Sequence, residues 1–156
     1  MDIAIERVGP ENAPCVLDWV ERLLRELGEE GDEAGALDRA DLAARWSRWN
    51  GDGGRMFAFV ATTVDGIAGV LTLVEAFAFY AGGRYGIINE MIVDSKQRSG
   101  GVGASLIAAA SALGRERDWA RIDVAAPEAE RWARTRKFYE RQGFVFTGPK
   151  LKLLLR

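Results

Sequence analysis

Residues 85–126 change period twice. "YGIINEMIVD" is an apolar run of strand length, "GVGASLIAAASALGRERDW" repeats its apolar residues at helical spacing, and "ARIDVAA" returns to a short strand. A strand, a helix of about 15 residues and a second strand cannot be a hairpin; that connection makes a parallel, right-handed crossover. Upstream, "MFAFVATTV" and "IAGVLTLVEAFAFY" are rich in β-branched and aromatic residues and meet at Asp65-Gly66, a hairpin signal. "AGGR" (81–84) makes a second turn into the strand at 85–94. Antiparallel hairpins followed by a parallel crossover require one mixed sheet with helices on both faces.

The remaining segments extend this pattern. "DIAIERV" (2–8) alternates as a strand, and Val16, Val20, Leu23, Leu24 and Leu27 recur at helical spacing up to Gly28. "EEGDEAG" (29–35) reads as an acidic loop, and Asp38 as the cap of a second helix with Leu42, Trp46 and Trp49 on one stripe. Pro127 opens a last helix that runs to Gln142 and stops at Gly143, and "FVFTGPKLKLLLR" reads as two closing strands around Gly148-Pro149. The order is β-α-α-β-β-β-α-β-α-β-β. It describes an α/β (α+β) fold with a mixed, mostly antiparallel sheet of about six to seven strands and about four helices on both faces. No linker or repeat interrupts it, so residues 1–156 read as a single domain.

Composition narrows the chemistry. There is no histidine, which excludes serine–histidine triads, cysteine–histidine dyads and histidine-ligated metals in this chain. The lone Cys15 excludes an internal disulfide and a multi-cysteine zinc site, and its helical setting suits a small buried side chain. No metal is expected. A net charge of -2 argues against bulk capture of nucleic acid. No apolar run approaches a membrane span and no signal pattern opens the chain, so the expectation is a cytoplasmic protein without a membrane partner.

"RSGGVG" (98–103) sits where the crossover strand meets its helix. The dinucleotide fingerprint would need a further glycine where Leu106 stands, and the Gly-Lys-Ser/Thr phosphate loop is missing. Two readings remain. The unpaired amides of a helix start can receive an anion that glycines let approach closely, or the glycines merely make a tight turn.

"IVDSKQRSGGVGASLI" resembles the acetyl-coenzyme A signature of the GNAT acetyltransferase superfamily, with Arg98, Gly101 and Gly103 as its core. "RKFYERQGF" (136–144) resembles the second signature of that family, in the same order and separation, and the element order is similar over essentially the whole chain. The resemblance implies an N-acetyltransferase that moves an acetyl group from acetyl-coenzyme A to a primary amine of a small molecule, peptide or protein in a ternary complex. The alternative is a catalytically silent acyl-coenzyme A-binding module of the same fold. The partners implied are acetyl-coenzyme A and an amine; a homodimer is compatible with either reading.

By resemblance, Arg98, Ser99, Gly100, Gly101, Val102, Gly103 and Ala104 hold the cofactor's pyrophosphate, and the backbone of Met91, Ile92 and Val93 pairs with its pantetheine arm. Trp132 stands where members often carry a cofactor-touching asparagine, seven residues before Tyr139. Arg131, Arg134, Arg136, Lys137 and Arg141 make a basic stripe from which one or two side chains meet the 3′-phosphate.

Acetyl transfer needs a neutral amine, and deprotonating a lysine-like amine at pH 7 costs about 4–5 kcal/mol. Without histidine, the candidate bases are carboxylates, and a proton wire of water is the other route. Glu90 on the strand leading into the glycine loop is the first candidate; its other reading is a charge on the solvent side of a strand. Glu75, Glu29 and Glu30 follow. Tyr139 is placed beside the cofactor sulfur by resemblance. Full proton transfer from a phenol of pKa about 10 to a thiolate of about 8.5 is uphill by about 2 kcal/mol, whereas a strengthening hydrogen bond avoids that cost. For the acceptor, the acidic loop, Trp46, Trp49, Tyr80 and Tyr85 supply groups that suit a cationic amine, or are solvated loop and core.

Overall fold

A computed structural model describes residues 1–27, 38–51, 53–125, 130–148, 151, 153 and 155. Among these, β1 (Ala4–Arg7), α1 (Ala13–Leu27), α2 (Arg39–Asn50), β2 (Met56–Thr63), β3 (Gly66–Ala78), β4 (Gly83–Val93), α3 (Val102–Glu116), β5 (Ile122–Val124) and α4 (Ala133–Arg141) follow in order. The sheet order is β1-β2-β3-β4-β5. The first three pairings are antiparallel and β4–β5 is parallel across α3, as the period changes require.

Local chemistry sets the element ends. Asp38 caps α2, its Oδ1 accepting from the Asp41 amide at 3.0 Å. The β2–β3 hairpin turns at Gly66, whose φ of 107° is open only to glycine. On α3, Val102, Leu106, Ile107, Ala110 and Leu113 form one buried stripe. They pack onto Phe57, Leu71, Leu73 and Ile88, with Tyr139 of α4 in the same cluster. A second cluster on the opposite face joins Val16, Trp19 and Trp46 of α1 and α2 to Ala58, Val60, Val70 and Ile92. Each fully buried Leu or Val contributes about 1.5–3 kcal/mol, so the two clusters hold the helices to the two faces.

Three expectations are corrected. Among the described residues the sheet has five strands rather than six to seven, because 144–148 and the described residues beyond form no ladder. Alternation in "FVFTGPKLKLLLR" gives two faces but names no pairing partner, and its described residues have none in the sheet. The Phe144 amide instead donates to Tyr139 O at 3.1 Å, and its ring packs edge-on against Tyr139. Val145 and Phe146 are left exposed. Trp49 faces solvent, while Trp46 is buried. The last helix begins at Ala133, after a 3₁₀ turn at Glu130–Trp132. The acidic loop with Glu29 and Glu30, the Gly28 stop and Pro127 lie outside the described residues.

Candidate active site

The register of β3 against β4 slips once. Thr72 faces Glu90, but Leu73 faces Ile88, so Asn89 is an extra residue in β4. A side chain alternates faces along a strand, and strict alternation from Ile88 would send Glu90 into the α3-side core. The bulge reverses that parity. Ile88, Met91 and Val93 belong with the α3-side cluster, whereas Glu90 shares the α1/α2 side with Ile92 and Thr72.

Glu90 is held there by one side chain. Thr72 Oγ1 accepts from the Glu90 amide at 3.2 Å and donates to the Glu90 carboxylate. Because the hydroxyl oxygen receives the amide hydrogen, its own proton is directed at Oε2. Burial pushes the Glu90 carboxyl above its ordinary value, and the Thr72 hydrogen bond opposes that rise. The carboxyl is thereby moved toward the pH range where a base works. Thr72 was missed from sequence; its signal was a lone hydroxyl within the apolar run "GVLTLV".

β4 also parts from its parallel neighbour. Pairing with β5 covers Gly86, Ile87 and Ile88 and ends at Val124, immediately before the bulge. From Asn89 to Val93, β4 has no β5 residue beside it. The stretch includes Met91, Ile92 and Val93.

At the C-terminal end of this stretch lies the glycine loop. Gly101 is the N-cap of α3, with φ 91° and no capping side chain, so the amides that open α3 are uncapped. Only Gly tolerates that φ cheaply. Gly103 has a different reason: a Cβ there would meet Phe138 Cζ at 2.9 Å, so it lets α4 approach α3. A Cβ on Gly100 would meet Met1 and the Gln97 carbonyl. Val102 is buried as the first residue of the α3 stripe, and Ala104 is half-buried in its first turn.

Arg98 does not reach across the loop. Its Nε donates to Val93 O at 3.1 Å and its guanidinium pairs with Glu26 of α1, which orders the turn. Beside it, Arg22 of α1 bridges Asp94 at 3.2 Å. Arg134 of α4 does approach the loop, its Nη2 donating to Ser99 Oγ at 2.7 Å. Ser99 itself sits at a left-handed φ of 66°. Arg134 of the basic stripe is thus brought to the glycine loop.

Tyr139 is 7% exposed, between Phe138 and Phe144. Burial pushes its phenol up to about 12. It lines a cavity of about 520 Å³ between α3, β5 and α4 that contains neither Glu90 nor the glycines. Trp132 is half-buried at the N-cap of α4 and gives no capping hydrogen bond.

Glu75 is held in an ion pair, and Cys15 keeps a helical packing position. Glu75 accepts from Arg117 Nε at 2.7 Å and Trp119 Nε1 at 2.6 Å, which hold it below the usual carboxylate range. Cys15 is half-buried on α1, and burial, with Asp18 second, raises its thiol. Among the described residues, no group of three or more His, Cys, Asp or Glu is placed to hold a metal. No helix among them is long and apolar enough to cross a membrane.

Comparison with known proteins gives the same frame. No curated protein matches the sequence. Among solved structures, the chain is similar to the aminoglycoside acetyltransferase HMB0005 from an uncultured soil metagenomic sample, at 18% identity over 100% of both chains and TM-score 0.82. It is similar to the aminoglycoside acetyltransferase meta-AAC0020 in complex with sisomicin, from an uncultured soil metagenomic sample, at 19% identity, over 99% of this chain and 97% of that one, TM-score 0.75. A predicted acetyltransferase with acetyl-CoA from Clostridium acetobutylicum aligns at 17% identity, over 99% of this chain and 97% of that one, TM-score 0.79. These likenesses show the fold. The profile of the "Acetyltransferase (GNAT) domain" matches residues 54–146, which span β2 to α4 and include both the bulge and the glycine loop. The chain therefore belongs to the GNAT acetyltransferase family and is an acyltransferase.

Proposed function

We propose that this protein, acting as one domain over residues 1–156, transfers an acetyl group from acetyl-coenzyme A to a primary amine by direct attack in a ternary complex. One observation carries the reading. β4 leaves β5 at the same point where the Asn89 bulge turns the Glu90 carboxyl to the α1/α2 face. Beyond that point the β4 backbone up to Val93 has no β5 residue beside it, and residues 94–101 lead from its end to an uncapped helix start.

The chain's groups divide the work. The α3 amides receive pyrophosphate oxygens, with the helix end adding about 0.3–1 kcal/mol of attraction. Arg134, already at Ser99, adds a cation there. The β4 backbone from Met91 to Val93 supplies donors and acceptors for the amides of the pantetheine arm. Acetyl-coenzyme A supplies the activated thioester. Glu90 takes one proton from the ammonium, directly or through water; the neutral amine attacks, the C–N bond forms, the C–S bond breaks, the nitrogen's second proton passes to water, and the sulfur leaves as thiolate. A phenol at about 12 lies roughly 5 kcal/mol uphill from protonating a thiolate, so Tyr139 acts as a hydrogen-bond donor to the sulfur rather than as a full acid.

The acceptor is a small molecule, peptide or protein amine, and aminoglycosides head the panel to try because two fold relatives bear that name. The burial of Tyr139 favours a second reading, a silent acyl-coenzyme A-binding module. Thiol release from acetyl-coenzyme A across a broad amine panel, with cofactor binding measured by calorimetry, separates the two. Turnover with any amine sustains transfer, and binding without turnover on the whole panel sustains the module.

A further inference from the structure

The α1/α2 face of the sheet is unevenly covered. Ala58, Val60, Val70 and Ile92 are sealed under the helices. Beyond Thr72 and Glu90, toward the β3–β4 hairpin, Val74, Ala76 and Ile87 are half-buried and join neither core cluster among the described residues. They floor a shelf with the Glu90 carboxyl at its inner end.

Four side chains stand at the outer end. Ile122 and Val124 pack toward α3, so Asp123 between them shares the face of Ile87, its partner in the ladder, and of Tyr85 two residues earlier. Arg121 grips Asp123 with both arms, Nε to Oδ1 at 2.9 Å and Nη2 to Oδ2 at 3.0 Å. The same guanidinium lies over the rings of Tyr80 and Tyr85, 5.0 and 5.8 Å from their centroids. The two phenol oxygens are 3.2 Å apart. Their hydrogen bond uses one hydroxyl proton and leaves the other to point at a ligand. The Tyr80 bond and then burial raise the Tyr85 phenol, which stays a neutral donor at physiological pH.

This cluster has no net charge. A cationic ligand group would meet Arg121 and an anionic one Asp123, each already neutralised by the other. An uncharged hydroxyl can accept from a guanidinium or phenol, donate to the carboxylate, and rest its carbon skeleton on the tyrosine rings. The distances fit one extended molecule. From Thr72, opposite Glu90, to Val74, opposite Ile87 beside Asp123, is about 7 Å, and to Ala76, opposite Tyr85, about 14 Å, at ~3.4 Å per residue.

We infer that the shelf bounded by Tyr80, Tyr85, Arg121 and Asp123 binds the uncharged, hydroxyl-bearing part of the acceptor. The substrate class is then a polyhydroxylated primary amine whose hydroxyls extend about 7–14 Å from the reacting nitrogen. The inference rests on the acetyl-transfer reading, with Glu90 at the reactive end.

Three probes of equal amine type test it: 2-aminoethyl lactoside, hexylamine and 1,8-diaminooctane. Thiol release gives kcat/KM for each, and calorimetry on the coenzyme A-saturated protein gives binding without need of turnover. The parent is expected to prefer the lactoside. Tyr85→Phe and Asp123→Asn should each lower the lactoside-to-hexylamine ratio about tenfold, the worth of one hydrogen bond. If Tyr85→Phe unfolds, Asp123→Asn, at a half-exposed site, decides alone. Ratios that stay at the parent value, or a parent preference for the diamine or hexylamine, overturn the inference. So does a parent that neither binds nor acetylates the lactoside, and thiol release with any other amine would then still sustain the transfer reading.

Discussion

Thr72→Val tests whether the carboxyl at the β4 bulge is tuned by its strand partner. Thr72 is 1% exposed and valine has its shape, so the perturbation is the loss of one hydroxyl. That hydroxyl donates to the Glu90 carboxylate. A hydrogen bond to a charged group is worth about 1.5–3 kcal/mol, and one pKa unit is about 1.4 kcal/mol, so its loss raises Glu90 by about 1–2 units. The sign follows because the bond stabilises only the ionised form, and burial already pushes the other way. The acid limb of the kcat–pH profile, if Glu90 is the base, should move up by the same about 1–2 units. Thr72→Ser should restore it, and Glu90→Gln should abolish the limb. Losing the acceptor of the Glu90 amide also weakens the fold by about 1–3 kcal/mol, so thermal unfolding is followed alongside. A merely structural role lowers kcat without moving the limb. An acid limb that superimposes on the parent's, in a folded Thr72→Val protein whose limb vanishes in Glu90→Gln, would refute the reasoning.

Other perturbations report on the rest of the site. Because burial lifts Glu90 above its ordinary value of 4.5, ionising it weakens the folded state. The parent should therefore lose stability relative to Glu90→Gln as pH rises through the raised pKa, measured by urea unfolding from about pH 4 to pH 8; parallel curves would show that the carboxyl is not perturbed. Tyr139→Phe should keep acetyl-coenzyme A binding and lower kcat by about tenfold or more, seen in single-turnover rates. Arg134→Ala should weaken acetyl-coenzyme A by roughly three- to tenfold and flatten the salt dependence of binding, read by calorimetry. Gly101→Ala, at φ 91° with only Ile3 Cδ1 near, should cost about 1–2 kcal/mol of stability from strain rather than clash, a drop of a few degrees in Tm.

Much of this molecule is written locally. The helix under Val102, Leu106, Ala110 and Leu113, the Asp38 cap and the Asp65-Gly66 hairpin each depend on neighbours a few residues away, and each appears as read. The change from strand to helix to strand required a parallel crossover, and the two signatures named the family, because glycine spacing at a helix start is a local property. What failed was non-local. Alternation at 144–155 specified faces without naming a partner strand, and helical spacing at Trp49 did not say which side would be covered.

The reactive centre divides the same way. Sequence alone determined that no histidine serves as base, which left a carboxylate or a water wire, and that Glu90 lies just upstream of the glycine loop. Which face Glu90 occupies was decided only by the tertiary structure. One extra residue, Asn89, reverses the parity of the strand, and a bulge exists only in the register between two strands, here Thr72 with Glu90 and Leu73 with Ile88. Residues far apart in sequence, Thr72 and Glu90, Ser99 and Arg134, Tyr80, Tyr85 and Arg121, acquire meaning only when that register and the helix packing bring them within hydrogen-bond or ring-contact distance.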